Sequence, residues 1–102
     1  MYIVGYNTDR DNSRLRAFKT RQAHSAGLLG AFYYEQKDYQ QAIGYFTESI
    51  TLHRQLNVMV GWYEALKGRF LANITTGNDT QAYADLEEIR RYSENYRKNI
   101  EK

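Results

Sequence analysis

The stretch that decides the fold runs Ala26-Gly-Leu-Leu-Gly-Ala-Phe-Tyr-Tyr34 and then Asp38-Tyr-Gln-Gln-Ala-Ile-Gly-Tyr-Phe46 to Ser49. Lys37-Asp38 interrupts a helical pattern, and Asp38 followed three residues later by Gln41 resembles a capping box. Beyond it Tyr39, Ala42, Ile43, Phe46, Ser49, Ile50 and His53 fall on one broad face at i, i+3, i+4 and i+7 spacing, the signature of an amphipathic helix. A short loop after this helix makes it and the next antiparallel neighbours, and it also touches the helix before it. Gly30 and Ala42 set their touching faces, and the large residues Tyr39 and Phe46 flank that contact. Such a pair is a brick for a binding surface and carries no chemistry of its own.

Upstream, residues 1–12 hold Gly5, Asn7, Asp9, Asp11 and Asn12 without helical periodicity, and they read as an extended or loosely ordered lead-in. Asp11, Asn12 or Ser13 is placed to cap a helix starting near Arg14, because a short side-chain oxygen satisfies the free amides of a first turn. That helix runs on into Phe32 and Tyr34. Gly27 and Gly30 cost it about 1 kcal/mol each relative to Ala, which points to close packing at those two places. Downstream, the helix after Asp38 ends between Gln55 and Asn57. A third helix spans about 58–75 with Met59, Trp62, Leu66 and Phe70 along one side. Gly77-Asn78-Asp79 breaks the chain again, and Asn78 or Asp79 caps a fourth helix with Ala82, Leu86, Ile89, Tyr92 and Tyr96 inward. Its polar tail ends in Arg97, Lys98 and Lys102, cations that suit a helix C-terminus.

Composition agrees with an all-helical chain. Beta-branched residues are few, good helix formers are plentiful, and proline is absent. The 102 residues suit one domain. No apolar run approaches the ~20 residues of a membrane span, and the N-terminus lacks the pattern of a secretory signal. The absence of cysteine removes disulfides, thiolate nucleophiles and zinc–thiolate sites together, and fits a cytoplasmic protein. A net charge of +2 falls short of a nucleic-acid binder's usual signature.

An internal repeat follows. From Gly30 to Ala42 is 12 residues, then 4 to Phe46 and 3 to Ser49; from Phe70 to Ala82 is 12, then 4 to Leu86 and 3 to Ile89. A period in the range of about 20–50 residues points to a helical array whose units cover each other's apolar faces. Residues 23–56 resemble a tetratricopeptide repeat: Leu29-Gly30 matches the family's first-helix pair, Tyr33 the following aromatic, Tyr39 the turn aromatic, Ala42 the small crossing residue and Phe46 the second-helix aromatic. Ala26, Ser49 and Arg54 depart from the pattern. A second, degenerate unit covers about 58–95. Gly77, Ala82, Leu86 and Ile89 fit there, Phe70 and Asn73 do not, and Gly68 is an alternative close-contact residue.

The resemblance implies an all-α domain over 13–102, built of antiparallel hairpins with four to five helices in a right-handed superhelical or bundle arrangement. It also implies a groove lined by first helices, which here gives His24, Gly27, Ala31 and Tyr34, then Glu64, Lys67 and Leu71, with Tyr34 and Tyr63 as walls. One subgroup of the family clamps a C-terminal carboxylate with Lys and Asn; Gly27 and Ala31, at the matching positions, have no donors. Open ends on so short an array imply a homodimer through an exposed helix face, or a piece of a longer protein.

Other signals weigh less. Arg10, Arg14, Arg16, Lys19 and Arg21 make the first helix basic, which reads first as a solvated face diluted by Asp9 and Asp11 and alternatively as a contact for nucleic acid or an acidic partner. Arg90-Arg91-Tyr92 and Tyr96-Arg97-Lys98 raise the same alternative through stacking, but Glu87, Glu88 and Glu94 sit among them for ordinary i, i+4 pairing. His24 and His53 form no two-histidine metal motif, and Asp85, Glu87 and Glu88 face no base or nucleophile and read as surface carboxylates. Gly27 and Gly30 have no Lys-Ser/Thr after them and make no phosphate loop. Asn73-Ile-Thr75 and Asn78-Asp-Thr80 match the glycosylation acceptor pattern by chance. The expectation is a non-catalytic module that binds a peptide or partner helix without cofactor or metal, self-associates and does not enter a membrane. The alternative is a regulatory domain associated with nucleic acid through the basic first helix.

Overall fold

A computed structural model describes the backbone of residues 2–101 and the side chains of residues 12–100. The described chain is four helices and no strand: α1 (Tyr2–Glu35), α2 (Tyr39–Leu56), α3 (Met59–Thr75) and α4 (Asp79–Glu101). Three short connectors share one geometry. Each places a residue in the left-handed region, Lys37 at φ 64°, Asn57 at φ 59° and Gly77 at φ 74°. The amide of that residue donates to the carbonyl three residues back, and the next amide donates five residues back: Lys37 to Tyr34 and Asp38 to Tyr33, Asn57 to Arg54 and Val58 to His53, Gly77 to Ile74 and Asn78 to Asn73. This double return satisfies the last free carbonyls of a helix and turns the chain sharply. The left-handed residues lie 20 apart, so two helices and two turns account for a repeat near 40 residues. Asp38 caps α2 as its position in the sequence suggests, accepting from the Gln41 amide at 3.4 Å.

The helices follow one another in space. α2 lies between α1 and α3, α4 packs on α3, and α1 also meets α3 beside α2. The core is Ala42, Phe46 and Ile50 of α2 with Trp62, Ala65 and Leu66 of α3, and Tyr33, Tyr34, Met59, Tyr63, Ile89 and Tyr92 pack against it half-buried. α1 contributes small residues to its contact with α2, namely buried Ala23, Ala26 and Gly30. The Phe46 ring sits between two glycines: a methyl on Gly30 would come within 2.6 Å of it and one on Gly68 within 2.5 Å. Both glycines are therefore required for α1 and α3 to close on the same ring.

Several expectations are corrected. α1 starts at Tyr2, not near Arg14, and runs through the stretch read as a loose lead-in. Without proline, Gly5 is the strongest breaker there, and a penalty of about 1 kcal/mol does not end a helix. Asn12 and Ser13 are thus mid-helix and not caps; the Asp11 side chain and Lys102 lie outside the described residues. Leu29 is exposed instead of packing inward, because Ala26, Gly30 and Tyr33 take the face toward α2. In α4, Ala82 is buried and Ile89 and Tyr92 are half-buried, but Leu86 and Tyr96 are exposed. α4 packs mainly on α3 and reaches α2 through one ion pair, Arg54 to Glu88 at 3.0 Å, so only one flank of its apolar face is covered.

The largest departure is Asp85, read as a surface carboxylate and found 1% exposed. Arg69 reaches it with two hydrogen bonds, Nη2 to Oδ1 at 2.8 Å and Nε to Oδ2 at 3.2 Å. Asn73 Nδ2 donates to Oδ2 at 3.1 Å, and Asn78 Nδ2 donates to Asn73 Oδ1 at 3.2 Å. The network ties α3 to α4 and to the connector between them. The Arg90 pairing expected on the α4 surface is present, to Glu87 at 2.9 Å and Glu94 at 2.6 Å. The Arg90 hydrogen bond holds the Glu87 carboxyl below its ordinary range.

Candidate binding groove

α1 and α3 run beside each other over α2 and leave an open cavity of about 810 Å³. One wall comes from α1, with Thr20, His24, Gly27, Leu28, Ala31, Tyr34 and Glu35. The other comes from α3 and the connector before it, with Val58, Val60, Gly61, Glu64, Lys67, Gly68 and Leu71. Seven of the eight residues assigned to the groove from sequence, His24, Gly27, Ala31, Tyr34, Glu64, Lys67 and Leu71, line it.

Tyr63 does not line this cavity. It stands about a quarter turn around α3 from the row Glu64, Lys67 and Leu71, at about 100° per residue, and packs against Tyr92 at 5.7 Å between centroids with the rings tilted by 37°. There it lines a smaller notch of about 390 Å³ with Tyr92, Tyr96 and Arg97. Lys67 bridges the two surfaces, 5.3 Å above the Tyr63 ring and 3.7 Å from Glu64.

The floor escaped sequence reading. It is made by Phe46, Ser49 and His53 of α2, seen through the gaps that glycines leave in both walls. Ser49 Oγ lies 3.2 Å from where a Gly27 methyl would stand, and His53 ring atoms lie 2.3 Å from the place of a Gly61 methyl. The signal was present as glycines in both wall helices, Gly27 and Gly30 in one, Gly61 and Gly68 in the other. Glycine carries no hydropathy pattern, so periodicity reports the walls and not what shows between them.

Polar atoms on the floor are fixed. Ser49 Oγ donates to the Ala23 carbonyl at 2.9 Å. His53 Nδ1 lies 3.0 Å from the Ser49 carbonyl and 3.1 Å from Ser49 Oγ. A carbonyl only accepts, so Nδ1 carries the proton and Nε2 is left as the ring's other nitrogen against Gly61. One end of the groove is tied by Tyr34 Oη and Thr75 Oγ1 at 3.4 Å. Toward the other end Arg16 Nη2 donates to the Leu56 carbonyl at 2.8 Å, holding α1 to the last turn of α2. The lining is mostly apolar with a few fixed polar groups, the ordinary character of a recognition site of this size.

Among the described residues no group of three or more His, Asp or Glu side chains is placed to hold a metal ion, and no helix is long and apolar enough to cross a membrane. Comparison of the chain with protein-family models, with curated proteins and with solved structures finds no match.

Proposed function

We propose that this chain is a non-catalytic, tetratricopeptide-like interaction module that takes an apolar stretch of a partner protein, a peptide or a helix, into the groove between α1 and α3. The observation that carries this reading is the groove itself, with two helical walls and a floor of Phe46, Ser49 and His53 onto which the glycines of both walls let the helices close. From Thr20 to Tyr34 the α1 wall is about 21 Å long at 1.5 Å per residue, room for roughly four turns of helix or six extended residues. The rim holds Glu35, Glu64 and Lys67, so no single sign of charge dominates and apolar anchors supply the affinity. Self-association belongs to the same reading, because α1 leaves the large apolar residues Leu15, Phe18, Leu29 and Phe32 exposed. A cysteine-free chain suits the cytoplasm.

The test is a selection of displayed peptides on the wild-type chain, followed by binding measurements on two variants. Ala31→Arg fills the groove and Tyr34→Ala removes one of its walls. Both are expected to weaken the selected peptides at least tenfold with helicity unchanged. Peptides that bind both variants as well as the wild type place recognition elsewhere.

A further inference from the structure

On the side of α1 away from the groove, Leu15, Phe18, Leu29 and Phe32 are each 41–55% exposed. With exposed Gln22 and Ser25 between them they form one row spaced 3, 4, 3, 4, 3, the a and d positions of a heptad pattern. We propose that this row is the self-association face, and that it pairs with α1 of a second copy in antiparallel orientation. The inference rests on the self-association proposed above and adds the face, the direction and the register.

The row is self-complementary in one register. Reversed and centred between Gln22 and Ser25, it sets Leu15 against Phe32 of the second copy, Phe18 against Leu29 and Gln22 against Ser25. Each ring then meets an aliphatic side chain, and the one polar layer pairs two groups that hydrogen-bond each other. Flanking charge selects the direction. The antiparallel pair brings Arg14 beside Glu35 of the second copy, twice by symmetry. A parallel pair brings Arg14 beside Lys19, a like-charge contact repeated on both flanks. The fold also leaves the face accessible, since the Ala23, Ala26 and Gly30 row a quarter turn away holds α2.

The four large residues offer roughly 400 Å² per copy at about 200 Å² for a full side chain. Doubled, this is below the ~1,000 Å² of a firm interface, so the pair is weak and concentration-dependent.

Light scattering is expected to give twice the 12.0 kDa chain mass at high concentration. Phe18→Glu with Leu29→Glu returns it to the single-chain mass at unchanged helicity, and Ala31→Arg in the groove leaves the dimer intact. The chain lacks cysteine, so Leu15→Cys and Phe32→Cys report direction: under mild oxidation their mixture forms a covalent dimer and neither variant does alone. A single-chain mass for the wild type at every concentration removes self-association altogether. A dimer that survives Phe18→Glu with Leu29→Glu removes only this face, and any other cross-linking pattern removes the register.

Discussion

Single residues in this chain act through what they leave empty. Gly44 and Gly68 are both mid-helix, yet they predict opposite outcomes. A methyl on Gly44 meets nothing within 4 Å, so Gly44→Ala is expected to stabilise by about 0.5–1 kcal/mol through helix propensity alone. A methyl on Gly68 overlaps the Phe46 ring, which Gly30 confines from the other side. The ring has no free direction in which to move, so Gly68→Ala is expected to cost about 1–3 kcal/mol by overpacking. Urea midpoints of the two variants check the pair, and a neutral Gly68→Ala means that α3 shifts to make room. Asp85 is the other decisive residue. Asp85→Ala strands the Arg69 guanidinium and the Asn73 amide, and it is expected to cost about 3 kcal/mol, against a smaller loss for Asp85→Asn, which keeps one acceptor for Asn73. An equal loss in both variants shows that the charge, and not the stranded donor, sets the cost.

Elements differ in how plainly they show in the sequence. α2 was legible because a capping Asp38, a regular apolar face and a stop at Asn57 agree with one another. α1 was legible only in its second half. Its inward face is Ala23, Ala26 and Gly30, which no apolar pattern reveals, while Leu29 and Phe32 carry the pattern and stay outside. α4 misled for the opposite reason: its buried row includes a carboxylate that is neutralised by Arg69 from another helix, and no local feature announces a partner 16 residues away. Of the connectors, Asn57 and Gly77 are residues that the left-handed conformation favours, but Lys37 is not. This contrast is testable. Lys37→Gly relieves the left-handed penalty and is expected to raise stability by about 0.5–1 kcal/mol after the entropy of glycine is counted. Asn57→Gly is expected to change little. A destabilising Lys37→Gly, read from thermal or urea unfolding, means that the lysine side chain supports the turn in some other way.

At the scale of the whole molecule the chain is a slab of 57 × 41 × 18 Å, about two helices thick. Each helix finds its main neighbours among those next to it in sequence, so stability is distributed along one dimension as in a repeat array. α2 and α3 are held on both sides, whereas α1 has an open outer face and α4 packs on α3 with a single ion pair to α2. α1 also outruns its partner. Its 34 residues face the 18 of α2, and Arg16 already reaches the Leu56 carbonyl at the end of α2. Among the described side chains before Arg16, Asn12, Ser13, Arg14 and Leu15 are all exposed, and a helix turn without packing is marginal in water. Native-state hydrogen exchange is expected to follow this gradient, because amides open with the free energy of their own cooperative unit. Amides within 42–53 of α2 and 62–72 of α3 should exchange last, with protection close to that of global unfolding. Those of α4 beyond Tyr92 and of α1 before Arg16 should exchange first. Raising the protein concentration discriminates further: if α1 pairs with a second copy, protection within 15–32 rises with concentration while that of α4 does not. Uniform protection across all four helices at low concentration is the result that contradicts the gradient, and it makes the slab a single cooperative unit instead of a short array.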